Sequence, residues 1–138
     1  MRQGELVFVD SGAWIALALS HDPLHERARE QWRLLGGAGA KLYTSVPVMI
    51  ETFTFLDRNA NRAVALAWKD AIYKPGTVKI LPCELRDLEQ SWEYFRRPNL
   101  HKLSAVDATS FAIMKHARIR LAYAFDHHFA AVGFRLVG

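Results

Sequence analysis

Four acidic residues occupy places from which side chains reach one edge of an α/β fold: Asp10, Glu51, Asp107 and Asp126. Asp10 ends the apolar run Leu6-Val7-Phe8-Val9, and Asp126 follows the apolar segment 121–125. Asp107 falls in the first turn of a helix opened by Ser104, and Glu51 is the one charge in VPVMIETFTFL before Asp57. In parallel sheets, strand ends and the helix starts beside them meet outside the carboxyl ends of the strands, where ligands bind. Carboxylates gathered there repel one another and raise each other's pKa values. A hard divalent cation removes that penalty, and oxygen donors without paired Cys or His point to Mg²⁺ or Mn²⁺. The matching chemistry is attack of metal-activated water on a phosphodiester.

Simpler roles compete for each acid. Asp10 and Asp126 would also serve as caps of the helices that follow, and Asp107 as the acidic member of a capping box with Ser104. Capping leaves Glu51 unexplained, because a carboxylate desolvated without a partner costs several kcal/mol. Glu51 must reach an edge, a cation or an arginine. Cys83 has no histidine partner in sequence, and His127-His128 reads as the polar start of a short helix rather than a ligand pair. Arg96, Arg97, His101 and Lys102 lie just before Asp107, where they can track a phosphate backbone or complement a helix dipole. Trp14, Trp32, Trp68 and Trp92 fall on apolar helical stripes and read as core or dimer interface.

The elements that must position these residues alternate along the chain. Strands are expected at 6–9, 41–44, 78–81, 121–125 and 134–137. Helices are expected at 13–19, 24–35, 45–56, 62–74 and 84–97, then from 104 onward and briefly after Asp126. A polar turn at 58–61 divides the third helix from the fourth. The fourth should bury Val64, Ala67, Trp68 and Ala71, and the fifth Leu85, Leu88, Trp92 and Phe95. This order calls for a parallel β-sheet flanked by helices on both faces. The 138 residues, 51% hydrophobic and 23% charged, suit a single domain over 1–138 that needs no metal or disulfide to fold. No apolar run approaches the ~20 residues of a membrane span. A start without signal-peptide pattern and a single cysteine suit the cytoplasm. The net charge of +4 favours a polyanionic partner.

The segments VFVDSGAWIAL, SVPVMIETFTFL, LSAVDATSFAIMKHA and AFDHHF, in that order between Leu6 and Phe129, resemble the PIN-domain family of nucleases. The likeness is strongest to the short VapC-type toxins of bacterial and archaeal toxin–antitoxin pairs. One departure is the strand before Asp126, LAYAF, whose alanines replace larger aliphatics. The resemblance implies a PIN fold and a ribonuclease using Mg²⁺ or Mn²⁺, with Asp10, Glu51 and Asp107 as direct ligands. Asp126 would bind a second ion or hold water beside the first. Ser11 matches a polar residue that accompanies the first aspartate, and Ser104, Arg96, Arg97 and Lys102 are candidates for the substrate side. The implied partners are RNA, a cognate antitoxin and a second copy of the chain in a homodimer, with no membrane. The antitoxin's C-terminal segment would dock near Trp14, with a basic residue entering the acid cluster. A housekeeping PIN nuclease in RNA processing is an alternative. A catalytically silent PIN-fold binding module is another, against which the intact quartet argues.

Overall fold

The computed structural model describes residues 1–138. In chain order the elements are β1 (Leu6–Val9), α1 (Ser11–Ala18), α2 (His25–Gly37), β2 (Lys41–Ser45), α3 (Val46–Asn59) and α4 (Arg62–Tyr73). There follow β3 (Lys79–Leu81), α5 (Leu85–Tyr94), α6 (Ala105–Ala117), β4 (Leu121–Tyr123), α7 (His128–Ala131) and β5 (Arg135–Leu136). The five strands form one sheet in the order β3-β2-β1-β4-β5, with every neighbouring pair parallel. The expected architecture, a parallel sheet flanked by helices, is what the chain adopts.

β1 lies at the centre, paired with β2 on one side and β4 on the other. Val7, Phe8 and Val9 are fully buried, which is why this strand is continuously apolar rather than alternating. Around it, 26 buried residues make one hydrophobic cluster. Phe111 of α6 meets Phe129 and Tyr94 edge-on, with centroids 5.0 and 5.1 Å apart, and so joins α5 and α7 to the sheet. Trp14 packs against Trp32 and Trp68 at 6.0 and 6.2 Å, tying α1 to α2 and α4. Tyr123 of β4 donates its hydroxyl hydrogen to the Ala28 carbonyl of α2.

Some local readings need correction. Helix α3 runs on through Arg58 and Asn59, and only Ala60 and Asn61 remain of the expected turn. The Asn61 side chain then caps α4 by accepting from the Val64 amide at 2.9 Å. Ala67 and Ala71 are exposed, while Ala65, Trp68 and Ile72 are the buried set of α4. Pairing of β4 stops at Tyr123. The largest change concerns α5, whose expected inward stripe faces outward: Leu85 is 70% exposed, Trp92 49% and Phe95 47%. Asp87, Ser91 and Tyr94 point inward instead. Each is held there locally, Asp87 by accepting from the Glu84 amide at 2.9 Å, Ser91 by donating to the Leu88 carbonyl, and Tyr94 by Phe111.

One buried hydroxyl locks the elements beneath the carboxyl edge. Thr44 Oγ1 on β2 donates to the Val9 carbonyl at 2.9 Å and accepts from Trp14 Nε1 at 3.2 Å. Thr44→Val keeps the shape but leaves the indole hydrogen and the carbonyl without partners. It should therefore cost about 2 kcal/mol, from the penalty of one or two unsatisfied buried groups. Urea unfolding checks this, with Thr44→Ser expected to retain most of the stability.

Candidate active site

The topology brings the four acids to the carboxyl edge by four separate routes. Asp10 immediately follows β1, and its amide donates to the Tyr123 carbonyl at 3.0 Å, so the central ladder extends one residue into the site. Glu51 projects from the second turn of α3, whose start is set by Ser45 accepting from the Val48 amide. Asp107 lies in the first turn of α6, where Ser104 Oγ accepts from the Asp107 amide at 3.0 Å. Asp126 follows the unpaired residues Ala124 and Phe125 after β4.

The capping roles separate here. Asp10 stands at the N-cap of α1, yet its side chain makes no capping bond. Its carboxylate is 97% buried, and Oδ1 has no hydrogen-bond partner. Ser104, not Asp107, supplies the cap of α6. Asp126 does cap locally, accepting from the His128 amide at 2.8 Å. Glu51 has no arginine; the Ser11 hydroxyl donates to its Oε1. The four therefore share one electrostatic environment rather than four unrelated duties.

That environment appears in their protonation. Burial, then the charges of Asp107, Glu51 and Asp126, push Asp10 up to about 8 against the opposing Ser11 amide. Burial, then a hydrogen bond and charge from Asp126, raise Asp107 to about 7, with Ser104 opposing. Asp126 moves the other way. Burial would raise it, but the His128 amide, the hydrogen from Asp107 and the His128 ring together hold it below the usual carboxylate range. So the two neighbouring carboxyls are driven apart, Asp107 toward the protonated form and Asp126 toward the ionised one.

A divalent cation fits this arrangement. The donors are hard oxygens, and the orphaned Asp10 Oδ1 is a buried acceptor that the protein leaves unserved. A second grouping of potential ligand atoms is Asp126, His127 and His128, which come within 4.8 Å of one another. Two ring nitrogens would suit a softer metal. However, His128 Nε2 already donates to the His101 carbonyl at 2.7 Å, and its Nδ1, 2.7 Å from Asp126 Oδ1, is a close charge contact without a hydrogen bond. It braces Asp126 against the 101–102 loop.

The remaining sequence candidates fall around this cluster unevenly. Ser11 and Ser104 are in it. Lys102 sits in the loop braced by His128, in left-handed backbone with φ of 58°. Arg96 pairs with Glu93 at 3.7 Å, and the Arg97 guanidinium lies 4.7 Å over the Tyr94 ring, so neither is drawn into the acids. Burial, with Asp87 and Glu84 adding to it, raises the Cys83 thiol and makes it a poor nucleophile. The residues missed in sequence are Thr44 and His128. For His128 the available signal was its place two residues after Asp126, beside the fully buried Phe129.

Residues 7–135 match the PIN domain, and the chain belongs to the PIN-domain family. It is 38% identical over 130 residues to the 23S rRNA-specific endonuclease VapC20 of Mycobacterium tuberculosis, covering 94% of this chain and 95% of the relative. The crystal structure of that Sarcin-Ricin loop cleaving toxin superposes with a TM-score of 0.82 at 36% identity, over 93% of this chain and 95% of the other. VapBC2 of Rickettsia felis, bound to a DNA fragment from its promoter, shares the fold at 10% identity, with a TM-score of 0.71 over 95% of this chain and 96% of that one.

The raised acids give a sign to the pH dependence. Between the ordinary carboxylate range and about 8, the folded metal-free protein holds protons that the unfolded chain has released. Its stability should therefore fall as pH rises through that window. The melting temperature without metal is expected to drop from pH 5.5 to 8.5, and Mg²⁺ or Mn²⁺ to restore it at the upper end. In the same titrations His128→Ala should weaken ion affinity about 10- to 100-fold, as loss of a ligand's supporting partner does, while His127→Ala should not. A flat pH profile with no response to the ion would count against the cluster as a cation site.

Proposed function

We propose that this protein is a divalent-metal-dependent endoribonuclease, a single PIN domain acting in the cytoplasm as the toxin of a toxin–antitoxin pair. The observation that carries the reading is the buried Asp10 carboxylate with an unserved oxygen, whose ionisation is opposed by the charges of Asp107, Glu51 and Asp126. The 38% identity to a 23S rRNA-specific endonuclease supports a ribosomal RNA loop as the substrate class. No helix of the chain is long and apolar enough to cross a membrane.

Asp10, Glu51 and Asp107 would hold Mg²⁺ or Mn²⁺. When bound, such an ion supplies positive charge against the phosphodiester and lowers the pKa of water. The chain's own residues do the positioning. Ser11 orients Glu51 by donating to Oε1, and Ser104 sets the first turn that carries Asp107. Asp126, held ionised by the His128 amide and ring, is suited to accept a hydrogen from water or to serve a second ion. Lys102, next to His101 in the braced loop, would meet a backbone phosphate.

Cleavage of a ribosomal stem–loop RNA should appear with Mg²⁺ or Mn²⁺ and disappear with EDTA. Asp10→Asn and Asp126→Asn should each reduce it by at least about 100-fold, in line with losing an electrostatic catalytic group. Both variants should keep the fold, because Asn at 10 removes a charge that is costly to bury and Asn at 126 can still accept from the His128 amide. Full cleavage by metal-free protein, or by Asp10→Asn, defeats the proposal.

An apolar concavity of about 260 Å³ between α1, α2 and α4, lined by Trp14, Leu17, Trp32, Trp68 and Ile72, suits the apolar side chains of an antitoxin segment. A basic residue of that segment would neutralise the acids in place of the ion. Inhibition by the product of the adjacent gene should therefore weaken when its C-terminal arginines and lysines become alanine. Inhibition unchanged by those substitutions would leave only occlusion of the substrate path. The absence of such a neighbouring gene would favour a housekeeping role. We also propose a homodimer, for which the outward stripe Leu85, Leu88, Trp92 and Phe95 of α5 offers an apolar face. Sedimentation showing only monomer at high concentration ends that part.

A further inference from the structure

The amino ends of the strands, opposite the acids, are basic. Arg120 precedes β4, Arg135 opens β5, Arg118 ends α6, and Arg2 approaches β1 through a turn at Gly4, whose φ is 72°. These four guanidiniums line one concavity of about 370 Å³. Three of them, Arg118, Arg120 and Arg135, also line a neighbouring hollow of about 550 Å³, to which Lys115 contributes. Glu5 is the one carboxylate in either, and it is already taken by the Arg135 guanidinium and, at 3.2 Å, by the Arg2 amide. Arg2, Arg118 and Arg120 take part in none of the chain's ion pairs.

Helix-dipole compensation accounts for Lys115 and Arg118 at the end of α6. It says nothing about Arg2, Arg120 and Arg135, which join Arg118 at the 370 Å³ concavity from three other segments. Arg118 also occupies the left-handed position after the helix, with φ of 59°, where glycine or asparagine is the unstrained choice. A charged side chain is thus kept at a strained position beside two other unpaired cations. Several guanidiniums facing one hollow match a ligand with several phosphates, to which arginine binds bidentately.

The two edges are far apart. Helix α6 carries Asp107 near its start and Arg118 at its end, a separation of about 16 Å at 1.5 Å per residue. A short oligonucleotide held at the acids stays clear of the arginines, whereas a folded RNA can touch both. We propose that the arginine-lined concavity at the amino ends of the strands is a second RNA-binding site, gripping backbone phosphates of a folded RNA away from the bond that is cut. This rests on the ribonuclease reading above and adds a place where the substrate is held.

The test compares full-length protein with the Arg2→Gln/Arg118→Gln/Arg120→Gln variant in two assays. Binding of a labelled stem–loop RNA is measured against salt concentration in the Asp10→Asn background, where no cleavage intervenes. Cleavage of a tetranucleotide with Mn²⁺ is measured in the parent background. The triple change should lower stem–loop affinity about tenfold or more at low salt and reduce the salt slope by about 2, at roughly 0.7 for each phosphate no longer neutralised. Tetranucleotide cleavage should not change. Arg118→Gly should raise the melting temperature while lowering RNA affinity, a pairing that a merely structural arginine would not produce. Unchanged affinity and slope overturn the second site while leaving the nuclease reading intact. Failure of the parent to cleave either RNA brings down that reading first. If the triple variant keeps its RNA affinity but no longer binds the neighbouring gene product, the hollow belongs to a protein partner and the proposal falls.

Discussion

A carboxylate that is 97% buried and has an oxygen without a partner is the constraint on which the carboxyl edge of this protein depends. The chain cannot satisfy Asp10 with its own groups: the nearest charges are three more acids, and each makes ionisation harder. Asp10 is nevertheless held firmly, because its amide continues the ladder between β1 and β4. Beneath it, Thr44 ties β1, β2 and α1 into one unit. Rigid support under an unsatisfied group is how a preorganised site differs from a packing error. A proton relieves the charge below about pH 8, and above that a cation arriving from outside does so.

The site also divides its acids by environment. Asp107, buried in the first turn of α6, is pushed toward its protonated form, while Asp126, beside His128, is pushed toward its ionised form. Neighbouring carboxylates driven in opposite directions are a recurring arrangement where a site must both hold a cation and handle a proton. His128 links this division to the 101–102 loop, so the acid edge and the backbone leading into α6 move together.

Much of this was legible in the sequence, and the exceptions have physical reasons. The run Leu6–Val9 ending in Asp10 marks a strand buried on both faces, and a lone glutamate in an apolar helix demands a partner on composition alone. What periodicity cannot supply is the identity of the surface that covers a stripe. For α5 the apolar residues repeat at helical spacing, yet Asp87, Ser91 and Tyr94 face the core, because a local cap and the Phe111 ring orient the helix more strongly than its stripe does. The role of Thr44 was hidden for a different reason. Its two partners are 35 and 30 residues away, and a threonine in a strand looks like any other β-branched residue. The acids were readable because ionisable groups at strand ends are unusual, whereas hydrogen-bonded spacers inside the fold are not.

The strand order has a consequence for how the chain is made. β1 is made well before β4, yet one of its two edges is completed only by β4, at Leu121–Tyr123. Until that segment is available, Val7-Phe8-Val9 presents an open, wholly apolar edge of the kind that recruits other chains. Pairing across so long a separation is also slow to close. Any state in which β4 has not yet docked is therefore the one most exposed to aggregation. Asp126 follows β4 closely, so the fourth acid joins the other three only as that edge is sealed.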